Sequence, residues 1–90
     1  MSDPAVLLPL LRETAERAIA EGRNLRLLRE RGPQSSGVAM LKGKVVVVLE
    51  PGIPAAEEVR HLIDGLKRLD LSGFFLPPAV REAIAPEEGT

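Results

Sequence analysis

The run Val45-Val46-Val47-Val48-Leu49 sets the tightest limit on what this chain can become. Val is stiff about χ1 and packs better on a pleated surface than in a helix. Strand side chains alternate between two faces, so a run that is apolar at every position leaves no face suited to water. It therefore predicts a central strand covered on at least one side. Glu50-Pro51-Gly52 ends the run, with Pro-Gly at the two central positions of a type II turn. Ahead of it, Val38–Leu41 is a second β-prone stretch, and Lys42-Gly43 between the two predicts a hairpin.

Helical periodicity flanks this hairpin. Leu8, Leu11, Ala15, Ala18 and Ile19 share one face of a first helix, with Arg12, Glu13, Glu16, Arg17 and Glu21 on the other. Asp3 and Pro4 offer a cap and an opening residue, but Pro9 removes an internal hydrogen bond. The regular helix is accordingly predicted to begin near Pro9, after a turn or kink. Gly22 and Asn24 mark its end. Leu25–Glu30 fits either a strand or a helical extension, and an edge strand is favoured because the two breakers precede it. Arg31–Gly37 reads as a polar loop. Val59, Leu62, Ile63, Leu66 and Leu69 form the clearest helical stripe, with Glu57 and Glu58 in the first turn and Lys67 and Arg68 in the last, as the helix dipole favours. Phe74-Phe75-Leu76 is a short apolar bridge, Pro77-Pro78 opens a last short helix carrying Val80 and Ile84, and residues 86–90 read as a frayed tail. The expectation is one small α+β domain over residues 1–90, in the order α-β-β-β-α-α. Its sheet is expected to be three-stranded and antiparallel, with the helices packed on one face.

Composition narrows the chemistry. The only aromatics are Phe74 and Phe75, so the core must be aliphatic. A chain this short buries only about 60–65% of its unfolded surface, which makes self-association a natural way to bury more. The absence of Cys excludes disulfides, thiolate nucleophiles, zinc–thiolate sites and iron–sulfur clusters, and favours a reducing, cytoplasmic setting. The apolar run after Met1-Ser2-Asp3-Pro4 is short and broken by Pro9, unlike a signal peptide, and no stretch approaches the roughly 20 apolar residues of a membrane span. With 12 basic and 13 acidic residues, the total charge points to neither a polyanion nor a membrane surface. Arg in excess of Lys, with many Pro and Ala, suits a heat-adapted or GC-rich bacterial source. No motif calls for a cofactor.

Four groups of side chains are candidates for function. His61, the only histidine, lies within one turn of Glu57, Glu58 and Asp64, a set that could act as a general base or half a metal site. No second His or Cys completes such a shell, and a solvated helix residue is the simpler reading. Ser35, Ser36 and Ser72 lack the Gly-x-Ser-x-Gly elbow of a serine nucleophile. Gly37 to Lys44 departs from a phosphate loop, because five residues separate Gly37 from Gly43 and Lys44 is followed by Val45. Arg23, Arg26, Arg29, Arg31, Lys42 and Lys44 stand against the single acid Glu30, and would grip phosphates if they shared the exposed sheet face. No aromatic lies among them to stack on bases. Phe74, Phe75 and Leu76 are either a partner anchor or the closure of the core.

From about Ser35 to Ile84 the chain resembles a group of short, uncharacterised bacterial proteins. The resemblance lies in Lys42-Gly-Lys-Val-Val-Val-Val-Leu-Glu-Pro51 and in Leu69-Asp-Leu-Ser-Gly-Phe-Phe-Leu-Pro-Pro-Ala-Val-Arg-Glu-Ala-Ile84. It implies a fold but no activity, and Ala39 stands where members of that group often carry Cys. The order hairpin then helix is also similar to small zincin-like domains, but Arg60-His61-Leu62-Ile63-Asp64-Gly65 lacks their His-Glu-x-x-His. The favoured function is a non-enzymatic interaction or assembly module, with no catalytic residues, self-associating through apolar helix faces or Phe74–Leu76. The alternatives are metal binding or catalysis by His61 with Glu57 and Asp64, and nucleic-acid binding by the Arg23–Lys44 stretch.

Overall fold

A computed structural model gives the structure of residues 3–31 and 36–85. The elements are α1 (Pro4–Ala20), β1 (Leu25–Arg29), β2 (Gly37–Leu41), β3 (Lys44–Leu49), α2 (Ala55–Lys67) and α3 (Pro78–Ile84). The class is α+β, in the order expected. The loop residues 32–35 and the tail 86–90 lie outside the described residues.

The Val run is the middle strand of a three-stranded sheet of order β1-β3-β2. β2 pairs antiparallel with β3, but β1 pairs parallel with it, so the sheet is mixed and not antiparallel throughout. The reason is topological. β1 ends at Arg29 opposite Leu49, and β2 begins at Gly37 opposite Val48, so both lie at the same end of β3 and run in opposite directions. Once β3, the hairpin partner of β2, is placed between them, it must run alongside β1. β3 takes the centre because it is the strand with least to offer water. Arg26 and Arg29 suit β1 to an edge. The hairpin turns through Lys42 and Gly43 at φ 51° and 80°, both positive as a type I′ turn requires.

α1 corrects a second expectation. It begins at Pro4 and runs unbroken through Pro9. Asp3 Oδ1 accepts a hydrogen bond from the Ala5 N–H at 2.9 Å, while the Asp3 carbonyl accepts from Val6 and Leu7, so the first turn is fully formed before Pro9 is reached. Pro9 is exposed, as is Ala5, whose carbonyl the missing N–H would have bonded; water can take its place. The helix ends as the breakers predict. The Gly22 and Arg23 N–H groups donate to the Ile19 and Ala18 carbonyls, with Gly22 at φ 80°. Leu7 and Thr14 join the buried face, and Ile19, expected there, lies at its exposed margin. Thr14 is tolerated because its hydroxyl donates to the Leu10 carbonyl at 2.8 Å.

The helices lie on one side of the sheet, with α1 and α2 against the strands and α3 against α1 and α2. Val45, Val47 and Leu49 meet Leu11, Ala15, Val59, Leu62, Leu66 and Val80 in one aliphatic core. α2 comes closest at Gly65, where an ideal Cβ would lie 2.5 Å from Val47 Cγ2. Gly is otherwise unfavourable in mid-helix by about 1 kcal/mol relative to Ala, so its presence here reflects the approach of the helix to the strand. Because Val47 is stiff about χ1, relieving that overlap requires a backbone shift. Gly65→Ala is expected to destabilise by about 1–2 kcal/mol despite the gain in helix propensity, and the loss should largely vanish in a Val47→Ala background. Urea unfolding of the four proteins in the cycle checks this.

Candidate functional site: the open sheet face

The face of the sheet turned away from the helices is built by alternation. In register, Arg26 lies opposite Val46 and Leu28 opposite Val48 on one side of β3, with Ala39 opposite Val46 and Leu41 opposite Lys44 on the other. Side chains so paired project from the same face. Val46 is only 6% exposed, although it lies outside the core that the helices cover. Its neighbours shield it. Arg26, Leu28, Leu41, Lys42 and Lys44 surround Val46 and line a depression of about 380 Å³. Long Lys and Arg stems lie along apolar surface while their charged ends stay in water. The result is an aliphatic floor with three cations at the hairpin end, and Leu41, 60% exposed, as one wall. Glu30 and Glu50 follow directly on β1 and β3, one residue past Arg29 and Leu49, at the opposite end of the sheet, and the alternation continued through them sets both on this side.

The basic stretch therefore divides. Arg26, Lys42 and Lys44 meet on the open face, and Arg31 is exposed beyond the end of β1. Arg23 and Arg29 are engaged elsewhere. Arg23 Nη1 donates to the Asp70 and Ser72 carbonyls at 3.0 and 3.2 Å, and its guanidinium lies 5.1 Å from the centre of the Phe74 ring. The loop it clamps has its own brace. The Ser72 hydroxyl and N–H donate to Asp70 Oδ1 at 2.7 and 3.0 Å and hold that carboxyl below its usual range.

Arg29 turns to the core side and meets Glu58, whose side chain is only 5% exposed. Glu58 accepts from Arg12 Nε and Nη2 at 2.8 and 2.9 Å and from Arg29 Nη2 at 2.9 Å. One carboxylate so joins α1, β1 and α2. From sequence alone, Glu58 is expected to serve the helix dipole and the surroundings of His61. The available signal was its spacing, since it precedes Leu62 and Leu66 by four and eight residues, within the buried stripe. The bond from Arg12 first, helped by Arg29, lowers the Glu58 pKa against the opposing effect of burial.

The His61 set does not converge. His61 is half-buried on α2, Glu57 is exposed, and Asp64 accepts from Arg68 Nε at 3.2 Å. Among the described residues no group of three or more His, Asp or Glu side chains is placed to hold a metal ion. Ser36 uses its hydroxyl to accept the Glu50 N–H at 2.9 Å, and Ser35 lies outside the described residues.

The aromatic bridge also divides. Phe74 is 7% exposed and belongs to the core with Leu76 packed against it, whereas Phe75 is 70% exposed. Arg17 fixes the bridge by donating to the Phe75 carbonyl at 2.9 Å, with its guanidinium 4.7 Å from the Phe74 ring centre. A groove of about 600 Å³ between α1, α2 and α3 is lined by Leu7, Val59, Ile63 and Ala79, with Glu82 as its one ionisable side chain. No helix among the described residues is long and apolar enough to cross a membrane. No protein-family model matches the chain, and comparison with curated proteins and solved structures gave no significant match.

Two measurements check these assignments. Because the Glu58 pKa is lowered in the folded protein, its stabilisation is complete above the ordinary carboxylate value of 4.5 and is lost as pH falls through the lower folded-state value. Glu58→Gln should therefore cost about 2 kcal/mol at neutral pH, a figure reduced by the partial exposure of both arginines, and the difference from wild type should narrow on acidification. Urea unfolding as a function of pH would show it. For the bridge, Phe74→Ala should cost about 3–5 kcal/mol. Phe75→Ala should stay within about 0.5 kcal/mol of wild type in the same assay.

Proposed function

We propose that this chain is a non-enzymatic interaction module whose contact surface is the open sheet face, acting in the reducing interior of a cell. The observation that carries this is an aliphatic row that no helix covers, Leu28, Val46, Val48 and Leu41, with cations at its hairpin end and Glu30 and Glu50 just past its other end. Interfaces have this form, an apolar centre inside a polar rim. The helix groove, although larger, has one ionisable group and so little to orient a partner. Nucleic-acid binding loses support when Arg23 and Arg29 are committed to Phe74 and Glu58, which leaves only Arg26, Lys42 and Lys44 together on the open face.

Photocrosslinking in cells tests the reading. A benzophenone side chain at position 41 should give a discrete protein adduct, and the same group at the exposed Glu13 of α1 should not. Absence of any adduct from positions 28, 39 and 41 would overturn the assignment of this face.

A further inference from the structure

The charges on the open face are segregated, and their arrangement identifies the partner. Arg26, Lys42 and Lys44 line the face at the hairpin end, and Glu30 and Glu50 directly follow β1 and β3 at the other, ahead of the exposed Arg31. An acidic peptide laid along the face would satisfy the cations and be repelled by the two glutamates. A basic segment would meet the reverse problem. One kind of surface satisfies both ends at once, namely the same face turned end for end. A two-fold axis lying between two copies, perpendicular to β3 and passing near Val46–Val48, sets each basic end against an acidic end and stacks the aliphatic rows between them. We infer that the occupant of the open face is a second copy of this chain, and that the two sheets stack face to face with their central strands antiparallel.

This inference rests on the interaction-module reading and specifies its partner. Sheets packed face to face keep their strand directions within about 30° of parallel or antiparallel, which this arrangement allows. Each face is three short strands wide, about 14 Å by 17 Å, which is small for a stable interface. The dimer is accordingly a weak one, formed at tens to hundreds of micromolar, and added salt weakens it by screening the end charges.

Sedimentation velocity on the purified full chain, from about 10 μM to about 1 mM, measures the association. Two charge variants decide the geometry. Glu30→Lys with Glu50→Lys makes the face basic at both ends, and Arg26→Glu with Lys44→Glu makes it acidic at both ends. Each variant alone should associate at least tenfold more weakly than wild type, and an equimolar mixture should recover a heterodimer at least as tight as the wild-type dimer. Circular dichroism and urea unfolding, matched to wild type, confirm that each variant is folded. A wild type that stays monomeric at about 1 mM overturns the inference, as does a dimer that persists undiminished in both variants or a mixture that fails to associate. If the chain is monomeric but position 41 crosslinks in cells to a different protein, the interaction surface stands and the second copy falls. If position 41 crosslinks to nothing, both fall.

Discussion

Everything in this structure follows from the lack of a polar face on β3. A strand that is apolar at Val45 through Leu49 cannot sit at an edge without presenting unpaired backbone and Val side chains to water together. Placing it between β1 and β2 satisfies its backbone on both sides, and that one choice turns the sheet from antiparallel to mixed. It also brings α2 down onto the middle of the strand, where Gly65 admits Val47 at a distance no Cβ would tolerate. Turn chemistry agrees with the choice. Lys42 and Gly43 take the two positive φ values that match the right-handed twist of the hairpin, and Gly52 at φ 85° releases the chain toward α2.

The second determinant is electrostatic. Glu58 sits in the stripe that α2 buries, where an isolated carboxylate would be costly by several kcal/mol. Arg12 and Arg29 reach it from α1 and β1, two elements far apart in the chain, and each keeps close to half of its side chain in solvent. The carboxylate gives up its hydration and the guanidiniums do not, so the desolvation penalty falls mainly on one ion. An alternative packing that slides α1 along α2 or shifts β1 by one residue would strip Glu58 of a partner. Buried ion pairs add little to stability compared with well-packed apolar groups. Their contribution here is to make neighbouring registers unfavourable while aliphatic side chains, which are interchangeable in shape, would tolerate them.

Local features of this fold were readable from the sequence, and features that depend on distant partners were not. The hairpin, the end of α1 at Gly22, the turn at Pro51-Gly52 and the stripe of α2 each rest on residues within one or two turns of each other. The parallel pairing of β1 depends on which hairpin strand lies next to it, which no local residue states. Two expectations even conflicted, since a central β3 and a wholly antiparallel sheet are incompatible when short connections join β1, β2 and β3 in order. Pro9 departs from expectation because its penalty depends on whether water reaches the Ala5 carbonyl, a matter of where α1 lies in the molecule. Phe74 and Phe75 are adjacent and chemically identical, and only the loop held by Arg17 and Arg23 decides which enters the core. Of the candidate site, the cations Arg26, Lys42 and Lys44 were visible and the apolar floor between them was not, because that floor is assembled from three strands by register.

The open face is the other consequence of the Val run. Alternation sends Val45, Val47 and Leu49 to the helices and leaves Val46 and Val48 on the far side. Both faces of β3 need cover, and the helices of this chain supply it to one. The sequence has answered in part with residues that are amphipathic in themselves: Arg26, Lys42 and Lys44 surround Val46, whose exposure is that of a core residue. Leu41 breaks this pattern. It stands opposite Lys44 with most of its side chain in water, where a Thr or a second Lys would have completed a solvated surface. A strand selected only for burial on one face has no reason to place Val, Leu and Ala on the other, and cations at one end with anions at the opposite end add a direction to that surface. Apolar side chains supply attraction without orientation, and segregated charge supplies orientation with little attraction. The face has both, which is the combination a specific contact requires.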